Sequence, residues 1–264
     1  MKTLALGMGL CLAAVSCAAG AQPACPAHVH VGIIDYELRP LLYGVGKTGI
    51  ATGPLVDAVR SSIANSGCKT TMDLRPMPIR RGRQELKQGG IDIWAVALVD
   101  QDLLNSAALP LLDDALDPQL GYFRSSYSIY VLKDEHRVSW DGKALSGPPG
   151  MTVGISPVNA VEALAHEKGW AIDKAIDTPN ALSKLLSGRH VAVVLPDPAV
   201  AGQPEETRKL LRRLEPALLQ PWYYAPVNRA FAQRYPEFTR RFWLEMCRAV
   251  RSPEAGPCRG GSKP

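Results

Sequence analysis

Carboxyl, hydroxyl, amide and aromatic side chains stand where predicted strands end and predicted helices begin. Helix starts present free N–H groups, and binding sites in open α/β sheets lie beyond the carboxyl ends of strands. These rules select groups that could hydrogen-bond to, or stack on, a small molecule. They are Asp35, Tyr36, Thr52, Gly53, Trp94, Ala97, Ser156, Asn159 and Asp197. The pattern predicts a binding site for a small polar ligand, with no cofactor and no catalytic residue.

The elements that must position these side chains alternate as apolar runs and helical repeats, which is the pattern of an α/β fold. The predicted strands cover residues 29–35, 69–75, 91–98, 122–132, 151–155, 190–195 and 223–227. The predicted helices cover residues 53–65, 80–88 and 228–250, and a further helix begins at Asn159. Each candidate side chain therefore lies in the carboxyl-terminal part of a predicted strand, just after one, or near the start of a helix.

Residues 1–21 resemble a cleavable export signal peptide. Lys2 precedes an apolar run, and Ala19-Gly20-Ala21 supplies the small residues that a signal peptidase reads. The run is too short to span a bilayer, so we expect a protein of the periplasm. A lipid anchor on Cys17 ranks second, because Ala14 stands where a lipobox usually has leucine.

The charge balance gives no sign of a nucleic-acid partner. Removal of Lys2 with the signal peptide leaves 29 of the 30 basic residues against 25 acidic ones, a net charge of +4. This mild, scattered excess differs from the concentrated basic face of a nucleic-acid-binding domain.

Four cysteines remain after cleavage, and an even number in an oxidising compartment favours disulfide bonds. They are Cys25, Cys68, Cys247 and Cys258, which allow three pairings. Cys25 and Cys68 each precede a predicted strand, so a 25–68 bond is sterically natural if those strands are parallel neighbours. A 247–258 bond would fasten the C-terminal tail.

Five groups of residues, in order, resemble motifs of the type II periplasmic solute-binding proteins, the amino-acid-binder-like family 3 of ABC transporter substrate-binding proteins. They are Val31-Gly32-Ile33-Ile34-Asp35-Tyr36 with Arg39-Pro40-Leu41; Gly49, Gly53 and Val56-Asp57; Met77-Pro78 and Arg80; Leu86, Gly89 or Gly90 and Ile91-Asp92; and Leu182, Leu185, Gly188-Arg189 and Ala192-Val193-Val194. The resemblance covers nearly all of the mature chain.

This resemblance implies a two-lobed α/β fold of mixed sheets flanked by helices, with a hinge of two crossing strands. Lobe 1 would comprise residues 27–120 plus 222–264, and lobe 2 residues 121–221. A small molecule would be held between the lobes of a monomer that delivers it to a membrane permease or a sensor. Arg80 joins the candidates, either as a solvated helix residue or as a group that reaches the ligand or the other lobe.

The segment after the third predicted strand departs from the family. Amino-acid binders of this group usually carry a T-x-x-R element whose arginine clamps the ligand carboxylate. Here residues 99–105 contain no arginine, and Asp100 and Asp102 would repel an anion. Asp197 also lies about one place later than the usual second-lobe aspartate. A neutral or cationic polar solute is therefore expected rather than an ordinary α-amino acid.

Two other classes of function stay open. A periplasmic dehydratase uses the same fold, so Asp35, Glu162 or Asp197 could be a catalytic acid, and a protein-partner role without transport is the third reading. His28 and His30 lie on one face of a strand, but no third ligand is close in sequence, so no metal site is predicted.

Overall fold

A computed structural model describes residues 24–45, 49–156, 158–251 and 255–259. The predicted signal peptide and the anchor candidate Cys17 lie outside these residues. The strands are β1 His28–Ile34, β2 Thr71–Met77, β3 Ile93–Trp94, β4 Ala97–Leu98, β5 Ala107–Ala108, β6 Leu111–Leu112, β7 Ala115–Leu116, β8 Phe123–Arg124, β9 Tyr127–Leu132, β10 Ser139–Trp140, β11 Leu145–Ser146, β12 Val153–Ile155, β13 Ile172–Lys174, β14 Ala192–Pro196, β15 Leu211–Leu219, β16 Trp222–Tyr224 and β17 Val227–Asn228. The helices are α1 Pro54–Ala64, α2 Ile79–Gln88, α3 Gln101–Ser106, α4 Asn159–Glu167, α5 Thr178–Leu186, α6 Asp197–Ala201, α7 Glu205–Lys209, α8 Arg229–Arg234 and α9 Pro236–Val250.

Two five-stranded sheets form the centres of two lobes, which confirms the predicted α/β class. The first sheet has the order β2-β1-β3-β17-β5, with β1 parallel to β2 and β3. The second has the order β13-β12-β14-β9-β15, with β12 parallel to β13 and β14. The inner strands β1, β12 and β14 are largely buried, whereas the parallel edge strands β2 and β13 are mostly half-buried or exposed.

A small antiparallel sheet, β4-β16-β8, connects the two lobes. Tyr223 pairs with Leu98 on one side and with Phe123 on the other, so both chain crossings lie side by side. Tyr122 donates a 2.6 Å hydrogen bond to the carbonyl of Ala95 beneath them. Trp243 of α9 donates a 2.8 Å bond to the carbonyl of Ala225 and ties the last helix to the second crossing.

Two predicted long strands are each divided in the structure, because the chain changes its pairing partner. Trp94 pairs with Gly32 in the first sheet, whereas Ala97 pairs with Tyr224 in the connecting sheet. Residues 122–132 behave likewise, since β8 pairs with β16 and β9 pairs with β14. The sequence does not show the first break because residues 93–98 are apolar throughout, whereas Ser125 and Ser126 stand at the second break.

The predicted single helix over residues 228–250 is wrong, since α8 ends at Arg234 and α9 begins at Pro236. Tyr235 has φ −129° and ψ 58°, outside the helical region. Proline lacks the N–H of a helix interior and disfavours helical geometry in the preceding residue, but it is well suited to the first helical position. Sequence analysis also missed β15, an edge strand whose Pro216 and charged residues obscure its pattern.

Disulfide bonds join Cys25 to Cys68 and Cys247 to Cys258. The first connects the segments that precede β1 and β2, which are indeed parallel neighbours. The second fastens the end of α9 to residue 258 of the tail. Within the described residues, no helix is long and apolar enough to cross a membrane.

Gly82 allows α2 to approach β3 closely. A Cβ at position 82 would lie 2.1 Å from Cζ3 of Trp94, whose side chain is 1% exposed. The sheet holds Trp94, so helix and indole can meet only where the helix residue has no side chain.

We expect Gly82→Ala to lower the free energy of unfolding by about 1–3 kcal/mol, because overpacking the indole outweighs the gain in helix propensity. Urea unfolding measures this change. Lys87→Ala, at an exposed position of the same helix, is the control and should stay within about 0.5 kcal/mol of the wild type. A more stable Gly82→Ala protein would contradict the packing described here.

Candidate functional site

A cavity of about 420 Å³ lies between the two lobes and is lined by residues of both. The first lobe contributes the segment after β1, the segment from β3 to β4, and one face of α2. The second contributes the starts of α4 and α5 and the segment from β14 into α6. This is the carboxyl-end, helix-start location expected for a site in open α/β sheets.

Five of the ten predicted binding residues line this cavity. They are Asp35, Tyr36, Trp94, Ala97 and Asn159. They come from the carboxyl end of β1, from β3 and β4, and from the first residue of α4. The structure thus brings together polar and aromatic groups from positions up to 124 residues apart in the chain.

The other five predicted residues lie outside the lining. Thr52 bridges to Tyr43 before α1, and Gly53 follows it with φ 112°. Arg80 is exposed on α2. Ser156 is buried and its hydroxyl accepts a 3.3 Å hydrogen bond from Thr178.

Asp197 is occupied by its own lobe. Its carboxylate accepts a 3.0 Å hydrogen bond from Tyr130 and a 2.7 Å bond from Arg213. Burial, and then the charge of Asp197, raise the pKa of the Tyr130 phenol. The neighbouring Pro198 lines the cavity instead.

Arg83 is not among the predicted site residues, but it lines the cavity one turn after Arg80. The two positions share a helix face, so periodicity alone could not choose between them. Gly82, the small residue among Arg80, Arg81 and Arg83, indicates which face of α2 packs on the sheet. Arg83 is its neighbour on the edge that borders the cavity.

The Asp100 carboxylate connects the two lobes. Its Oδ1 accepts hydrogen bonds from the Arg83 guanidinium and, at 3.1 Å, from the backbone N–H of Leu103. Its Oδ2 accepts a 2.5 Å bond from Nδ2 of Asn159 in the second lobe. The Arg83 and Asp100 side chains are only 21% and 19% exposed. Partial burial alone would raise the pKa of Asp100, but these bonds hold it below its ordinary value.

A second contact between the lobes lies at Gly202, after α6. A Cβ at this position would lie 3.1 Å from Cδ of Arg39, so the second lobe touches the first here without a side chain. Arg39 also forms an ion pair of 2.9 Å with Glu37. The lobes therefore meet on two sides of the cavity.

Charge pairing within the lining leaves Asp35 as its one unpaired charge among the described residues. Arg83 neutralises Asp100 and Arg39 pairs with Glu37. No described residue donates a hydrogen bond to the Asp35 carboxylate or forms an ion pair with it. Asp100 was expected to repel an anion, but Arg83 compensates its charge.

Tyrosines border the cavity beside Asp35. Tyr127 and Tyr223 share a 2.6 Å hydrogen bond between their hydroxyls. Burial and then the nearby Tyr223 raise the pKa of Tyr127. The Tyr36 side chain is 39% exposed overall, but its hydroxyl is desolvated, which raises its pKa, as do Tyr223 and Asp35 nearby. All three phenols are therefore neutral hydroxyls at physiological pH.

Similar solved structures include binding proteins and sensor domains. Holo ArgBP from T. maritima aligns with 87% of this chain and 93% of its own, at 17% identity and a TM-score of 0.63. The VFT2 domain of Bordetella pertussis BvgS, a double mutant, aligns with 89% of this chain and 97% of its own, at 15% identity and a TM-score of 0.61. A histidine kinase sensor domain with similarity to periplasmic binding proteins covers 81% and 88%, at 16% identity and a TM-score of 0.63.

This chain has the two-lobed periplasmic-binding-protein fold. The similarity extends over most of both chains, and identities this low establish the fold alone. No protein-family model and no curated protein sequence matches the chain.

We expect Asp100→Asn to lower the free energy of unfolding by about 1–3 kcal/mol at neutral pH, because it leaves a largely buried Arg83 without its counter-charge. Asparagine still caps α3 with its one oxygen. The effect therefore combines the lost charge with the loss of the oxygen that accepts a hydrogen bond from Asn159. Since folding lowers the pKa of Asp100, its contribution is complete above the ordinary value of 3.8 and is lost as the pH falls through the folded-state value.

Urea unfolding of both proteins between pH 3 and pH 7 measures this difference. Asp102→Asn, at an exposed position two residues away, is the control and should match the wild type throughout. A difference between Asp100→Asn and the wild type that does not shrink in acid would contradict the role given to this carboxylate.

Proposed function

We propose that this chain is an exported solute-binding protein that captures a small polar molecule between its two lobes. The observation that carries this proposal is the cavity itself, which both lobes line and which contains an unpaired carboxylate. We assign residues 27–120 plus 222–264 to lobe 1 and residues 121–221 to lobe 2. Such lobes move by bending at the crossing strands, and a ligand that touches both favours the closed form.

The ligand carries a positive charge in this proposal. Asp35 is the free charge of the described lining, and it lies near Tyr36, whose hydroxyl is neutral, with Tyr127 and Tyr223 also in the lining. A carboxylate with neighbouring aromatic faces suits an ammonium or guanidinium group. ArgBP from T. maritima, an arginine-bound form of which is among the similar structures, supports the choice of a guanidinium compound as the first probe.

Export and delivery complete the proposal. Residues 1–21 would be removed as a signal peptide, and the two disulfide bonds suit an oxidising compartment such as the periplasm. The similar structures include both binding proteins and sensor domains, so the monomer would deliver its ligand to an ABC transporter permease or report it to a sensor. An enzyme ranks second, because no described residue is placed to exchange a proton with Asp35.

Isothermal titration calorimetry tests the charge of the ligand, with L-arginine as the cationic probe and L-glutamate as the anionic one. We expect L-arginine to bind and L-glutamate not to bind. Asp35→Asn should weaken L-arginine binding by at least about tenfold, because a charge-assisted hydrogen bond contributes about 1.5–3 kcal/mol.

Asp57→Asn is the matched control, since Asp57 is an exposed aspartate of α1 that does not line the cavity. It should bind L-arginine as the wild type does. L-Glutamate binding more tightly than L-arginine, or an Asp35→Asn protein with unchanged affinity, would count against a cationic ligand. Native mass spectrometry of the protein purified from its own host would name a bound molecule directly.

A further inference from the structure

Three potential metal ligands meet on the first sheet, at the end opposite the cavity. His28 and His30 are the first and third residues of β1, and Asp73 is the third residue of β2. The register of the parallel pair places His30 opposite Asp73. Because side chains alternate along a strand, both imidazoles lie on the same face as this carboxylate.

The ligand atoms are close enough to share one ion. Oδ1 of Asp73 lies 3.1 Å from Nε2 of His28 and 2.6 Å from Nδ1 of His30, and all three atoms lie within 4.8 Å of one another. Bonds of about 2.0–2.2 Å to a tetrahedral metal ion place its ligand atoms roughly 3.3 Å apart. Small rotations of exposed side chains bring the three atoms to that separation.

A neighbouring hydroxyl orients one imidazole for metal binding. Nδ1 of His28 lies 2.7 Å from Oγ1 of Thr71, an acceptor that favours the tautomer with the proton on Nδ1. The lone pair is then on Nε2, the atom that faces Asp73. An outer hydrogen bond that fixes the tautomer is the usual support of a metal-binding histidine.

The contacts of His30 cannot all be satisfied by the protein itself. Its Nδ1 lies 2.6 Å from Oδ1 of Asp73 and 2.7 Å from Nη2 of Arg75. If Nδ1 carries a proton, it can donate to the carboxylate, but two donors then face each other at the guanidinium. If Nδ1 carries a lone pair, it can accept from the guanidinium, but two acceptors then face each other at the carboxylate. A cation that accepts electron pairs from both atoms removes the conflict.

Arg75 occupies the position of that cation. Its Nε donates a 2.5 Å hydrogen bond to Oδ2 of Asp73, and its side chain is 43% exposed. Its Nη1 also donates a 3.2 Å bond to the carbonyl of Gly90. Rotation of this exposed side chain into solvent breaks these bonds and leaves the two imidazoles and the carboxylate to a metal ion. Arg75 is therefore a competitor of the metal rather than a ligand.

We propose that His28, His30 and Asp73 bind a divalent transition-metal ion of the zinc class. Two imidazoles and one carboxylate form a ligand set that zinc commonly takes, with a fourth position left for water. The third ligand escaped sequence analysis because Asp73 lies 43 residues from His30. The bound ion would cross-link β1 to β2 at the edge that the Cys25–Cys68 bond also fastens.

The metal site is independent of the cavity. Asp35 lies five positions after His30, which is about 16 Å along a strand. A protein that binds zinc but no organic solute, or the reverse, would separate the two proposals.

Calorimetric titration of the untagged, EDTA-treated mature protein with ZnCl₂ tests the site. We expect one zinc ion per chain, with affinity weakened at least about tenfold in His30→Ala and in Asp73→Asn. Arg75→Gln keeps all three ligands and removes the competitor, so it should bind zinc several-fold more tightly than the wild type.

His166→Ala is the matched control, because His166 is an exposed histidine beside a carboxylate, Glu162, without a third ligand. It should bind zinc as the wild type does. Nitrogen NMR of histidine side chains provides a readout that does not depend on a variant folding, and zinc should shift the ring signals of His28 and His30 first. The proposal is overturned if those signals do not move, if His30→Ala binds zinc as the wild type does, or if Arg75→Gln does not bind it more tightly.

Discussion

A partly buried carboxylate cannot stay charged without donors, and at Asp100 this constraint shapes the junction of the two lobes. One donor comes from α2, one from the backbone at the start of α3, and one from Asn159 of the opposite lobe. Removal of any of them leaves charge in a poorly solvated place. The contact between the lobes at this point is therefore stabilised by the hydrogen bond that Asp100 accepts from Asn159.

Ion pairs within the lining also determine which of its charges are left without a partner. Because Arg83 is committed to Asp100 and Arg39 to Glu37, neither arginine is a free cation for a ligand carboxylate. Asp35 accepts no hydrogen bond and forms no ion pair with any described residue. The proposed preference for a cation rests on which charges of the lining are already compensated rather than on how many it contains.

Strand β1 contributes residues to both proposed sites, at its opposite ends. Its carboxyl end delivers Asp35 to the cavity, and its amino end carries His28 and His30 beside Asp73. Parallel pairing with β2 places Asp73 opposite His30, although the two residues are far apart in the sequence. The Cys25–Cys68 bond lies at the amino end, away from the cavity.

The sequence by itself determined the alternation of strands and helices, the start of α4 at Asn159 and the position of Asp35 after β1. These follow from local patterns of burial and from the chemistry of helix starts, which neighbouring residues largely decide. It could not reveal where β3 gives way to β4, because the chain there exchanges one pairing partner for another without changing its apolar character. Only the tertiary structure decided that Arg83 rather than Arg80 borders the cavity, that Asp197 bonds within its own lobe, and that Asp73 joins two histidines. Each depends on the distance between residues far apart in the chain, and packing alone sets that distance.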